Sequence, residues 1–312
     1  MRRPRHPVAP PFASIREVCP RPPALLLLLF LLAALVPVRA RAAPPPQHDR
    51  ARALVQRTIA NQHRNDAAIY DYERVEHRVE YDGQSISSDE TYRLVPTGTG
   101  RLSLLVARGD QPVDLAFYRK QLRDWQEVLT HAIDPEDSRQ LHSKAQQQQK
   151  DKERADLINA IGSAFRFTWL DEEVEGGRTL ARIALDPDPG YHPTSRKTEI
   201  LRHVRATVWI DERSAQLVRG EADIISDISA GGGIISKIYR GGWFRIEQAE
   251  VEPGIWFPTR MEFSIRGRMF FFGFNEHKLT ATSRYHYVGA PRQALQTVRR
   301  ELASGKPFPT GH

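Results

Sequence analysis

Ile255-Trp256-Phe257-Pro258-Thr259-Arg260-Met261-Glu262-Phe263-Ser264-Ile265-Arg266-Gly267-Arg268 decides the fold. Ile255, Phe257, Met261, Phe263 and Ile265 fall on one side, against Trp256, Arg260, Glu262, Ser264, Arg266 and Arg268 on the other. A period of two belongs to a strand with one apolar and one wet face. The same period runs upstream. Val204, Ala206, Val208 and Ile210 alternate with His203, Arg205, Thr207 and Trp209. After a turn at Asp211–Ser214, Val218, Ala222, Ile224 and Ile228 alternate with Arg219, Glu221, Asp223 and Asp227. Gly231-Gly232-Gly233 breaks the chain as a hairpin or bulge, and Ile234 to Ile246 reads as a third strand bent at Gly241-Gly242. Residues 204–288 are therefore expected to form antiparallel strands of one sheet, apolar on one face.

Further out, Asp49–Arg64 carries the apolar residues of a short helix capped by Asp49, lying over a sheet edge or mouth. Three strands follow as a meander: Ile69–Tyr81, a turn at Asp82-Gly83, Ser85–Val95, and Arg101–Ala107. Leu115, Tyr118, Leu122, Trp125 and Leu129 make an apolar stripe on a helix after Pro112. Asp134-Pro135-Glu136 ends it. Glu136–Arg154 is almost wholly polar and is expected as a solvated helix or arm. Strands resume at Phe165–Val174 and Thr179–Leu185, and Asp186–Ser195 is a proline-rich loop.

At the N-terminus, arginines precede the apolar run Ala24–Val36, which exits through small residues at Ala40, Ala42 and Ala43. This is the layout of a secretory signal peptide over residues 1–42, with the alternative of a retained anchor. The run falls short of the roughly 20 apolar residues that a spanning helix needs. Those 42 residues hold seven arginines against one acid, so they carry six of the chain's seven net positive charges. A mature chain at +1 offers no general attraction to nucleic acid. Cys19, the single cysteine, lies before the apolar run, which leaves the mature chain without disulfide or thiol chemistry. The expected organisation is a signal peptide (1–42), one domain (43–291) with a helical insertion (113–164), and a C-terminal tail (292–312) that starts as a short helix.

No catalytic, metal or cofactor motif of useful specificity is present, and the reading is non-enzymatic. The histidines are scattered. Asp186 and Asp188 are held apart in a structural loop, and Arg108-Gly109-Asp110 reads as a turn entering a helix. Arg240, Arg245, Arg260, Arg266 and Arg268 read as a solvated outer face. Two features stand out. Phe244, Phe257, Phe263 and Met261 on the apolar face suit either a packed core or an adaptable lipid pocket. Met269-Phe270-Phe271-Phe272-Gly273-Phe274 would leave about half its rings on the wrong face of a strand, needing a covering helix, a partner or a ligand, with packing under the Leu115–Leu129 helix the expectation.

Val208-Trp209-Ile210-Asp211, Leu217-Val218-Arg219-Gly220-Glu221 and Gly254-Ile255-Trp256-Phe257-Pro258-Thr259-Arg260 carry a resemblance. They resemble the strand-and-turn signatures of the LolA/LolB-like superfamily of bacterial outer-membrane lipoprotein carriers, which includes a domain of RseB. The resemblance covers about Phe165 to Val288. It implies a mainly β fold with a helical insertion: a curved antiparallel sheet forming an incomplete (half) β-barrel plugged by helices. It implies a periplasmic or secreted carrier or binding protein whose concave face takes a hydrophobic small molecule, lipid or lipoprotein acyl chain. The candidate ligand-binding residues are then Val208, Ile210, Ile224, Ile238, Phe244, Phe257, Met261, Phe263 and Ile265. The insertion, Val113–Ala164, departs from the pattern and is expected over the mouth or flank, where its movement would govern release. Two rival readings are an envelope interaction or sensing domain with a solid core and a protein partner, and an outer-membrane β-barrel.

Overall fold

The computed structural model describes residues 45–97, 100–134, 138–230, 235–289, 291–306 and 308. The expected signal peptide and Gly231-Gly232-Gly233 lie outside the described residues. The chain forms one antiparallel sheet with helices on both faces. Its strands are β1 (Tyr72–Asp82), β2 (Ser85–Pro96), β3 (Arg101–Arg108), β4 (Gln111–Pro112), β5 (Phe165–Glu175), β6 (Arg178–Pro187), β7 (Val204–Asp211), β8 (Leu217–Ile224), β9 (Ile228–Ala230), β10 (Ser236–Ile238), β11 (Trp243–Glu252), β12 (Ile255–Met269) and β13 (Phe272–Tyr287). The helices are α1 (Pro45–Ala68), α2 (Leu115–Ile133), α3 (Ser138–Ala164), α4 (Arg196–Glu199) and α5 (Pro291–Ser304).

The order across the sheet is β4-β3-β2-β1-β13-β12-β11-β8-β7-β6-β5, with β10 beside β12 and β9 beside β10. The meander and the strands after residue 204 are thus one sheet, joined where β1 pairs with β13. Its two ends do not pair, so the sheet stays open and curved, and the closure that a membrane barrel requires is missing among the described residues. The turns follow their glycines. Gly176 and Gly177, both with positive φ (56° and 77°), make the two-residue link between β5 and β6.

Helix positions depart from expectation in three ways. First, α1 begins at Pro45, ahead of Asp49, and runs to Ala68. Second, the polar segment and the apolar Leu157, Ile158 and Ile161 are one helix, α3. Its last turns dock on the sheet and carry the polar part along, since extending a helix costs far less than starting one. Third, the insertion is split between faces. Tyr118, Leu122, Trp125 and Leu129 of α2 pack with Val95, Leu104 and Val106 and with Ala294, Leu295 and Val298 of α5. Leu157, Ile161 and Ala164 of α3 join α1 in the larger core. The register Phe263–Lys278–Glu80 and Glu76–Tyr92 puts Phe263 on the same face as Tyr92 and Leu94, opposite Arg93 and Val95. The two cores therefore occupy opposite faces of the sheet.

Two strand readings are corrected as well. Ile234–Ile246 is not one bent strand: β10 and β11 are separate, and β10 lies beside β12 beyond the reach of β8. The aromatic run is not covered by α2. It is the tip of the β12–β13 hairpin, where Phe270 is 51% and Phe271 93% exposed. Local alternation identifies the strands, but which helix reaches them is a long-range matter.

Candidate functional site

One face of the sheet carries the candidate residues. Val208 and Ile210 stand on β7, Ile224 on β8, Ile238 on β10, Phe244 on β11, and Met261, Phe263 and Ile265 on β12. Phe244 sits opposite Ala222 on one side and Phe263 on the other, and Ile246 opposite Met261. Seven of these, with Met261 partly buried against them, belong to a single apolar core with Phe165, Phe167, Ile183 and Leu185, sealed by Ala51, Leu54 and Val55 of α1 and Leu157 and Ile161 of α3. Ile246, which shares the alternation of Phe244, is a member of this face that sequence reading left out.

Phe257 departs from the group. It is buried, but it packs on Tyr72 (centroids 4.9 Å apart) and Tyr285 (5.0 Å), outside the main core. The expected two-face pattern fails here, because Trp256 is buried too, with the Arg178 guanidinium 4.8 Å above its ring. Pairing steps from Glu247–Arg260 to Gln248–Pro258, so Thr259 is an extra residue. A bulge of this kind shifts the alternation of everything before it, and composition alone does not announce it.

Beyond β12 the same face turns charged. Glu76, on β1, receives Arg74 Nε at 3.3 Å and Arg78 Nη2 at 2.7 Å. Burial pushes its carboxyl up, but the guanidiniums of Arg101, Arg74 and Arg78 outweigh burial and bring it down to about 2. A depressed carboxylate stabilises the fold fully above its unfolded pKa, near 4.5, and that contribution is lost as pH falls toward 2. Denaturant melts between pH 5 and pH 2 should show a loss on the order of 3 kcal/mol from this group, absent in Glu76→Gln. An unchanged slope in the variant would mean that the carboxylate is not held in this way.

Polar contacts fasten the plug. Asn61 Nδ2 donates to the carbonyls of Ser214 and Ala215 (both 2.8 Å), and Asn65 Nδ2 to Gln216 Oε1 (2.9 Å). The Trp256 backbone N–H donates to Asn65 Oδ1 (3.3 Å), and Arg50 pairs with Glu172 and Glu212 (3.1 and 2.5 Å). The α3 helix is held at its polar stretch by Arg154 on Asp66, by the Tyr70 hydroxyl donating to Asp151 (2.6 Å), and by Lys197 on Glu153. A groove of about 760 Å³ runs between α3 and residues 190–195, with Lys152, Asn159, Tyr191 and His192 in its lining, and Tyr191 belongs to the main core. Among the described residues no three His, Cys, Asp or Glu side chains come together as a metal site. Among them, too, no helix is long and apolar enough to cross a membrane.

No protein-family model and no curated protein matches the chain. Solved structures do. An outer membrane lipoprotein-sorting protein domain from Vibrio parahaemolyticus is 10% identical over 75% of this chain and 93% of its own, with a TM-score of 0.31. The MucA/MucB complex of Pseudomonas aeruginosa is 9% identical over 78% and 96%, with a TM-score of 0.21. A LolA superfamily protein from Nitrosomonas europaea is 9% identical over 78% and 96%, with a TM-score of 0.32. At these identities and TM-scores the similarities bring no family, ligand or partner to this chain.

Proposed function

We propose that the protein is a non-enzymatic binding protein of the bacterial periplasm that takes a hydrophobic ligand on the apolar half of its sheet. The ligand class is a lipid, an acyl chain or a lipidated protein. One observation carries this reading: a wide apolar face, with Val208, Ile210, Ile224, Ile238, Phe244, Met261, Phe263 and Ile265 on it, is closed by helices rather than by a second sheet. In α3 the closing surface is confined to its last turns, and its polar stretch is fastened by polar contacts instead of apolar packing, the bidentate, part-buried Arg154–Asp66 pair foremost among them. Lifting α3 would open the face, and an entering acyl chain would gain about 0.8 kcal/mol for each CH₂ buried. Because α2 sits on the opposite face, the moving part is α3 and not the whole insertion.

A second reading is favoured by a specific observation. Phe244 is 1% exposed and Phe263 6%, so the face is filled as it stands, as in an interaction or sensing domain with a solid core. Native mass spectrometry of protein purified from the envelope, before and after solvent extraction, separates the two. A lipid-sized adduct lost on extraction supports the carrier. A co-purifying protein chain with no lipid overturns it in favour of the interaction domain.

A further inference from the structure

The hairpin joining β12 to β13 ends in bare aromatic rings. Met269 and Phe272 pair as its last rung, leaving Phe270 and Phe271 as the turn. Met269 is 49%, Phe270 51%, Phe271 93% and Phe272 79% exposed, and Ile235 beside them 47%. The Phe270 N–H donates to the Ile235 carbonyl (2.8 Å), so this residue is part of the same tip. Phe270 also has φ +52°, a conformation that hairpin turns ordinarily give to glycine or asparagine. Half of that ring stays open to solvent at a backbone position that costs a bulky residue energy.

The hairpin beneath the tip is closely packed. Gly267 pairs with Phe274 and faces Ile238 of β10. A Cβ at 267 would lie 2.4 Å from the Lys237 carbonyl oxygen and 2.5 Å from the Phe274 ring, so only glycine lets both approach. Phe274 in turn packs against the main core. The stretches 235–240 and 266–275 contain Lys237, Arg240, Arg266 and Arg268 and no acid. The flanking acids Asp227 and Glu276 are engaged by Lys237 and Lys278 (2.8 and 3.9 Å).

We propose that this tip docks the protein onto an anionic lipid surface, with Phe270, Phe271 and Phe272 entering the headgroup layer while Arg240, Arg266 and Arg268 meet its charge. A projecting, convex cluster of rings with a basic rim fits a deformable interface, where aromatic side chains are favoured and each nearby base adds attraction. The docking is independent of whether the concave face holds a ligand.

The test uses the full chain, exported, in a Cys19→Ser background, with an environment-sensitive fluorophore on Phe271→Cys. The same label on Val174→Cys, at the β5–β6 hairpin end and 77% exposed in the native residue, is the control. Residues 24–36 are common to all samples, so the local label isolates the tip from any leader that remains. On adding vesicles of phosphatidylcholine and phosphatidylglycerol at about 7:3, emission at 271 should shift to the blue while that at 174 stays fixed. In unlabelled protein, Phe271→Ser with Phe272→Ser should lower flotation with these vesicles about tenfold. Arg266→Glu with Arg268→Glu should remove the preference over pure phosphatidylcholine. Thermal melts check that both variants fold. A silent 271 label, or equal flotation of folded variants, would overturn the proposal. A 271 response that follows protein concentration without vesicles would overturn it too, assigning the tip to a second copy of the chain.

Discussion

Replacing Phe263 with alanine is expected to lower folding stability by roughly 3–5 kcal/mol in lipid-free protein. The ring is 6% exposed, faces Phe244 across the β11–β12 pair and belongs to the core beneath α1 and α3. Removing it takes away the transfer energy of the ring and leaves a cavity that the rigid sheet cannot collapse. Adding back solvent-extracted lipid then distinguishes the two functional readings. A carrier gains about 2.7 kcal/mol when ligand stands at a hundredfold excess over its dissociation constant, since only the folded state binds. The size of that gain should differ in Phe263→Ala, because the ring is part of the surface that the chain would touch. Denaturant melts of wild type and variant, each with and without lipid, give all four numbers. If lipid moves neither protein, the apolar face is a solid core and the carrier reading falls.

Arg93→Met should cost a similar amount, about 3–5 kcal/mol, for an electrostatic reason. Arg93 is 2% exposed on β2 and forks onto Glu73 of β1 at 2.7 and 3.0 Å. It also donates to the Tyr118 hydroxyl of α2 (2.9 Å) and pairs with Glu301 of α5, while Tyr118 itself donates to Glu301 (2.7 Å). Burial opposes the charge on Arg93, but its carboxylate partners more than restore it, so the guanidinium stays protonated. Methionine fills most of the space and leaves Glu73 and Glu301 with no cation between them. Charge left uncompensated in a buried place is what makes breaking such a pair expensive. Adding Glu301→Gln should recover part of the loss, as expected for residues in one network. Hydrogen exchange should show α5 released first. A loss below about 1 kcal/mol would mean that the network is slack, like an exposed ion pair.

Much of the secondary structure was legible from the chain alone, because it depends on neighbours in sequence. The β12 alternation from Met261 to Ile265, the α2 stripe from Tyr118 to Leu129 and the glycine pair at 176–177 each state a local geometry that the structure repeats, while Leu115 at the head of that stripe stays exposed. What alternation cannot state is which partner covers a face. Thr259 has no counterpart across β11, and that one extra residue detached Phe257 from the group it was expected to join. Contacts such as Arg93 with Glu301, 208 residues apart, decided that α2 and α5 share one face while α3 crosses to the other. The aromatic tip shows the same division: its composition was plain, but its exposure followed from where the hairpin turned and from which helices passed elsewhere. Period and turn chemistry are written into consecutive residues. Burial is a property of surfaces brought together from distant parts of the chain, so only the tertiary structure assigns it.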